Sequence, residues 1–281
     1  MTRKSNTILN SARMAIAVAR EAFPVPYSHP KSPKKYTQAQ LAAALVLKTV
    51  LRTDYRGIVE QLELMPEVRK VLGLGKVFEH TTLFRFQERI GDDRLQAMLA
   101  AVHRIIGTPK TNVAVDSTGL STTAASAHFI ARSGRKRCGY VQMTLATTIG
   151  KPLVAAVLVR PGPHGDAGYL IPALELARHN GVRIREVLAD RGYDSFVNHA
   201  WCRGRGMRAW IPPVIRRPDG TVGGEDRARC LKCPPRYGKR WHVESVISAI
   251  KRTMGSSLAA RKPEARFREA ILKAVSWTIR R

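Results

Sequence analysis

Acidic residues are scarce in this chain. Only 21 Asp and Glu stand against 48 Lys and Arg in 281 residues, a formal charge of +27 at neutral pH. A surplus of that size points to a polyanionic partner, nucleic acid first and an anionic membrane surface second. Long apolar runs are missing as well, which removes the membrane: Leu41–Leu47 and Leu153–Val159 fall far short of the roughly 20 residues a spanning helix needs. The short run Met14–Ala19 sits between Arg13 and Arg20 and lacks the core of a signal peptide. Four cysteines do not make a disulfide scaffold, so the expected setting is a reducing cytoplasm, with the protein associated with the nucleoid. Internal repeats and long low-complexity tracts are absent. What is present is 44% hydrophobic residues, enough to bury a core, in a chain long enough for one large domain or two ordinary ones.

The first 35 residues are basic and broken by Pro24, Pro26, Pro30 and Pro33, and read as an arm. From Thr37 to about Ile106 the apolar spacing is helical. Helices are expected over Gln38–Leu51 behind a Thr37 cap, and over Tyr55–Leu64, Thr81–Ile90 and Asp92–Ile106. Pro109 and a change of period near Thr111 mark a boundary between a helical domain over 36–108 and a second domain over 109–281. The second domain has short β-type runs. Val113–Asp116 comes first, then Tyr140–Ile149 and Pro152–Arg160, joined by Gly150-Lys151 as a two-residue hairpin connection. Ile184–Ala189 and Ala209–Ile211 follow. Helices are expected at Ala167–Arg178, Ser195–Arg203 and Lys239–Met254, with a Gly/Arg/Pro-rich loop at about 214–236. The order β-β-β-α-β-α-β-α describes a mixed α/β domain on a central sheet.

Three acids in that domain stand where a metal-ion nuclease needs carboxylates. Asp116 and Asp190 each end a strand, the place where open α/β sheets present their ligands. Glu244 lies on the last expected helix, in a frame with Tyr237, Arg240 and Lys251. At about 100° per residue, offsets of three, four and seven put these four side chains on one stripe. A phenol, a guanidinium, a carboxylate and an ammonium make a poor core and a good surface for phosphate and divalent metal. Three converging carboxylates repel one another unless a cation lies between them. Oxygen-only ligands suit Mg²⁺ or Mn²⁺, and two such ions about 3.5–4 Å apart would drive in-line displacement at phosphorus. Taken singly, each acid reads more easily as a turn former or a solvated helix face; the three together, with the frame, read as a site.

At these residues the chain resembles the DDE transposases of bacterial and archaeal insertion sequences. The matching stretches are Val115-Asp116-Ser117-Thr118-Gly119, Ala189-Asp190-Arg191-Gly192-Tyr193-Asp194-Ser195, and Arg240-Trp241-His242-Val243-Glu244 through Ile250-Lys251-Arg252. Ile211-Pro212-Pro213 is similar to the family's strand before its insertion loop. The resemblance runs from about Thr111 to the C-terminus, and more weakly through Tyr55-Arg56-Gly57 and Thr81-Thr82-Leu83. It implies a ribonuclease H-like mixed sheet flanked by helices, preceded by an all-helical N-terminal domain that binds the element's terminal inverted repeats. It implies Asp116, Asp190 and Glu244 as the metal-binding catalytic triad, with Tyr237, Arg240 and Lys251 contacting or supporting DNA. The implied reaction exposes 3′-hydroxyls at the element's ends and joins them to target DNA, in a homo-oligomer assembled on DNA. The alternatives are a ribonuclease H-like nuclease without strand transfer and a non-catalytic DNA-binding derivative, though the derivative would usually have lost one of the three acids. Where related sequences show an adjacent His-Asp pair, this chain has His164-Gly165-Asp166, which leaves no clear role for His164.

Further signals surround the site. Basic clusters at Arg132/Arg135/Lys136/Arg137, Arg203/Arg205/Arg208 and Arg227/Arg229/Lys232/Arg236 read as contacts to a DNA backbone, with no indication of which bases are read. His199 and Cys202 with Cys230 and Cys233 could compose a structural Cys₃His zinc site, although ordinary thiols are the simpler reading; Cys138 has no partner at a useful spacing. Trp201, Trp210 and Trp241 are candidates for core or for base stacking, with core favoured for Trp210. Gly220–Gly224 lacks the Lys-Ser/Thr of a nucleotide loop.

Overall fold

Local capping explains where the first helices begin. The computed structural model describes residues 6–31, 33–122, 132, 139–215, 218 and 220–281. Helix α1 (Thr7–Ala22) starts at Asn6, whose side chain accepts from the N–H groups of Ile8 and Leu9 at 3.1 Å. Helix α2 (Gln38–Val50) starts with a reciprocal capping box between Thr37 and Gln40. Asp54 caps α3 (Tyr55–Leu64) through the Gly57 N–H at 2.7 Å. Then follow α4 (Pro66–Leu72), α5 (His80–Arg89) and α6 (Asp92–Ile106). Both α4 and α6 end on a left-handed glycine, Gly73 and Gly107, a conformation that spares glycine a Cβ clash.

Two of these helices depart from expectation. Helix α1 occupies part of the stretch read as an arm. Its Ala12, Ala15, Val18 and Ala19 are fully buried, while Arg13 and Arg20 point outward. A stripe of alanines carries little hydrophobic signal, and the prolines that follow it dominate the pattern. Helix α4 fills the gap after Leu64, begun by Pro66 at its first turn.

Five strands form one sheet in the order β3-β2-β1-β4-β5: β1 (Thr111–Ser121), β2 (Tyr140–Thr148), β3 (Val154–Pro161), β4 (Ile184–Ala189) and β5 (Arg208–Trp210). The first three are antiparallel neighbours, whereas β4 runs parallel to β1, and β5 parallel to β4. Parallel neighbours need a crossover. Helices α7 (Leu170–His179) and α8 (Phe196–Gly204) supply them. This is the ribonuclease H-like topology, a mixed sheet flanked by helices with a helical region before it. Strand β1 runs well past Asp116, because β2 continues to pair with it out to Ser121. The β2–β3 connection is longer than two residues: the pairing ends at Thr147↔Val154, and the Thr148 hydroxyl ties the turn to the Lys151 carbonyl at 2.6 Å.

Two apolar layers enclose the sheet. On one face Val113, Val115, Ala146 and Ala156 meet Leu170, Ala173, Leu174 and Ala177 of α7. On the other, Ala114, Met143, Leu145 and Val157 share a continuous cluster with α10 (Trp241–Met254), α11 (Pro263–Arg280) and helices α1, α2 and α6. Between α9 (Glu225–Arg229) and α10, a 3₁₀ turn covers Pro235–Arg240, so the helix expected from Lys239 starts at Trp241. Among the described residues no helix is long and apolar enough to cross a membrane.

Two buried polar groups join these layers. Lys273 of α11 donates to the carbonyls of Met254, Gly255 and Ser257 at 2.9, 3.0 and 2.7 Å, so it closes the C-terminal end of α10. His103 of α6 bridges Thr108 Oγ1 at 2.8 Å and the Val154 carbonyl of β3 at 2.9 Å. A carbonyl only accepts, so Nε2 carries a proton. Lys273→Met should therefore lower unfolding stability by about 3 kcal/mol in urea titrations, since it leaves one buried and two partly buried carbonyls without this donor. Burial holds the His103 pKa below its ordinary value despite the opposing pull of the Val154 carbonyl. The unfolded chain then takes up the proton first, so this group's contribution is complete above the unfolded pKa and is lost as pH falls towards the folded one. Denaturation at pH 7.5 and 5.5 should show a loss of stability that is smaller in His103→Gln; an equal loss would exclude His103 as the source.

Candidate active site where strands β1 and β4 part

Strand register brings the first two acids together. Val115 of β1 and Ala189 of β4 are direct partners in the parallel ladder, so Asp116 and Asp190 leave the pairing side by side. The Ser117 N–H donates to Asp116 Oδ1 at 2.8 Å. Asp190 Oδ1 accepts from the Gly192 N–H at 2.9 Å and caps the 3₁₀ turn Arg191–Tyr193. That turn is pinned from below by Tyr193, fully buried, whose hydroxyl lies 2.7 Å from Ser117 Oγ. Ser117 Oγ in turn lies 2.7 Å from Thr144 Oγ1 of β2. One hydroxyl network thus couples β2, β1 and the Asp190 turn.

The third acid arrives on α10 with its cationic neighbour. Arg240 pairs with Glu244 through one guanidinium nitrogen and reaches Asp116 Oδ2 at 3.6 Å through another. The guanidinium therefore spans two of the three acids. Tyr237 faces inward, donating its hydroxyl to the Ala189 carbonyl at 3.1 Å, directly before Asp190. Lys251 is half-buried, about 10 Å along the helix axis from Glu244. Burial lowers its pKa, and no ion-pair partner for it occurs among the described residues.

The electrostatics favour a cation. Burial pushes the Asp116 carboxyl above its ordinary range, and the Asp190 and Glu244 carboxylates push the same way, against the Ser117 N–H and Arg240. An oxygen-only donor set under that repulsion suits a hard divalent ion such as Mg²⁺ or Mn²⁺. The spacing is less complete: among the described residues no three His, Cys, Asp or Glu side chains stand close enough to hold a metal ion. At Asp116 and Glu244 the balancing positive charge is the Arg240 guanidinium.

A fourth acid at this edge, Asp166, was not singled out from the sequence. Its Oδ1 accepts from Gln142 Nε2 at 2.8 Å and lies 3.5 Å from the guanidinium of buried Arg160. A Cβ on Gly192 would stand 3.0 Å from Asp190 Oδ1, so glycine there leaves room for that carboxylate, and Asp166 Oδ2 lies next to the same turn. His164 instead holds the Pro161 carbonyl at 2.8 Å. The signal was present in His164-Gly165-Asp166, at its acid rather than its imidazole.

The insertion is anchored to the same strand end. Asp194, 1% exposed at its side chain, receives Arg227 Nε at 2.9 Å, Arg227 Nη2 at 2.6 Å and the Val214 N–H at 2.7 Å. Burial pushes this carboxyl up, but those donors outweigh it and hold it below the usual carboxylate range. The residues weighed as a zinc site have separate partners. Cys230 donates to the Ala209 carbonyl at 3.4 Å, Cys233 to the Cys230 carbonyl at 3.3 Å, and His199 lies 3.6 Å from Asp194. Trp210 is buried, while Trp241 is 55% exposed and stacked on His242. Arg135, Lys136, Arg137 and Cys138 lie outside the described residues.

With this geometry established, residues 107–279, more than half of the chain, match the family model described as Transposase DDE domain. No curated protein matches the chain.

Two substitutions test the supports of the site. Arg227→Met leaves a buried carboxylate without its counter-ion and should cost about 3–5 kcal/mol in chemical denaturation. Tyr237→Phe removes one partly buried hydrogen bond and should cost about 1 kcal/mol. A loss for Arg227→Met no larger than for Tyr237→Phe would show that the Asp194 pair does not anchor the insertion.

Proposed function

The chain belongs to the DDE transposases of insertion-sequence type, and from that membership we propose that it cleaves the ends of its element and joins the freed 3′-hydroxyls to target DNA. The observation that supports this reading best is the emergence of Asp116 and Asp190 side by side on one edge of a ribonuclease H-like sheet, with Arg240 linking Asp116 to Glu244. We assign these three acids as the catalytic residues and as the ligands of Mg²⁺ or Mn²⁺. A bound divalent ion would polarise the scissile phosphate and lower the pKa of the attacking oxygen's proton.

The chain's own residues supply the rest. Asp116 and Asp190, fixed by strand pairing and by their own backbone N–H bonds, hold the negative charge where β1 and β4 part. Arg240 releases Asp116 and Glu244 when a DNA phosphate offers its fork a bidentate partner. Lys251 presents a point charge to the same backbone farther along α10. Tyr237 acts as a brace, holding the last carbonyl of β4. The helical region before the sheet binds the terminal inverted repeats, and the protein acts as a homo-oligomer on DNA. The excess of Lys and Arg supports sequence-independent attraction to duplex.

Purified protein incubated with labelled element ends should nick at the 3′ ends and yield joined products with Mg²⁺, and neither with EDTA. Nicking without joining would replace the proposal with a nuclease reading. Asp116→Asn and Glu244→Gln should each reduce cleavage by more than the roughly 10–100-fold that follows loss of a group merely hydrogen-bonded to a metal ligand. Both variants should retain DNA binding, and cleavage preserved in either removes that acid from the site.

A further inference from the structure

Two basic clusters that lie apart in the sequence meet around one cavity remote from the carboxylates. The cavity, of about 410 Å³, opens between the start of β4, the start of β5, helix α8 and helix α9. Arg185, Arg203, Arg208 and Arg229 line it, with Glu186 and Asp226 between them. Each acid braces two arginines. Asp226 accepts from Arg203 at 2.7 Å and Arg229 at 2.8 Å, while Glu186 lies 3.9 Å from Arg208 and 3.0 Å from Arg236. Arg185 is exposed and has no ion-pair partner among the described residues.

The cavity is built rather than a chance surface. Four guanidinium groups outnumber two carboxylates along its wall, and each guanidinium has five N–H donors, of which its acid engages only a few. Its wall also includes His199, 3% exposed, whose Nε2 lies 3.6 Å from Asp194 Oδ1 and whose Nδ1 has no hydrogen-bond partner among the described residues. Unspent donors and surplus positive charge around an open cavity call for an anionic oxygen ligand. Forked guanidinium groups match a phosphate in particular.

We propose that this cavity grips a backbone phosphate of the DNA engaged at the catalytic edge, independently of base sequence. The inference rests on the transposase reading. Arg185 stands at the start of β4 and Asp190 just past its end, about 16 Å away at the rise of a strand. Phosphates on each strand recur about every 3.4 Å of duplex axis, so on a duplex lying along β4 the gripped phosphate falls about five base pairs from the scissile one.

The test uses full-length protein, a labelled duplex carrying an element end, and a scrambled duplex. Arg185→Gln/Arg208→Gln removes two lining charges while leaving Glu186 paired to Arg236. Arg229→Gln, which leaves Asp226 on Arg203, serves as a second variant should the first unfold. Lys151→Gln/Arg178→Gln removes the same charge from the turn beyond β2 and the end of α7. Anisotropy titrations across a salt series should show a slope of log K against log salt that is shallower in the cavity variants, by about 0.9 for each phosphate they no longer neutralise. Both duplexes should be affected alike, and the control pair should change the slope less. Phosphate ethylation should interfere with binding of the wild-type protein about five base pairs from the cleavage point, and that interference should vanish in the cavity variants. Equal slopes in the cavity and control variants, or interference that persists, would overturn the cavity assignment alone. A wild-type protein that binds neither duplex would overturn the transposase reading itself.

Discussion

The parallel pairing of β1 with β4 is the constraint on which the site depends. Because Val115 and Ala189 are register partners, the residues that follow them, Asp116 and Asp190, must emerge together. A shift of one residue would send one acid to the opposite face of the sheet, where α7 and its alanines leave no room for a charge. Everything nearby stiffens that register. Tyr193 ties the Asp190 turn to Ser117, Tyr237 holds the Ala189 carbonyl, and Asp194 clamps the insertion to the same turn through Arg227.

Such convergence carries an electrostatic cost. Carboxylates brought together at a partly buried edge repel, and burial with the Asp190 and Glu244 charges pushes the Asp116 carboxyl above its ordinary range. Arg240 offsets part of it by reaching Glu244 and Asp116 at once. The same guanidinium suits a phosphate equally well, so DNA and the carboxylates compete for it. In this account DNA binding makes the acids available to a divalent ion, which links substrate arrival to assembly of the metal site.

Much of the second half was legible in the sequence. Strand Ile184–Ala189 begins and ends as its apolar run does, and the Tyr-Arg-Glu-Lys frame marked the helix that carries Glu244. What escaped the reading shares a physical cause. The alanine stripe of α1 buries small side chains that a hydrophobic pattern barely registers, and the prolines after it suggest an arm. Asp166 is marked by His164-Gly165-Asp166, but its place at the edge comes from long-range partners, Gln142 on β2 and Arg160 on β3. The basic clusters were visible as runs of arginine. That Arg185, Arg203, Arg208 and Arg229 surround one cavity follows from the β4–β5 pairing and from the insertion folding back over α8.

The central claim is that Asp116, Asp190 and Glu244 share a divalent ion once DNA has engaged Arg240. Replacing that ion with Fe²⁺ and initiating hydroxyl-radical chemistry cuts the polypeptide next to whatever binds the metal. With element-end duplex present, backbone scission should concentrate at the segments around Asp116, Asp190 and Glu244, and should weaken when the duplex is omitted. Scission confined to one of these segments, or centred elsewhere in the chain, would contradict the account.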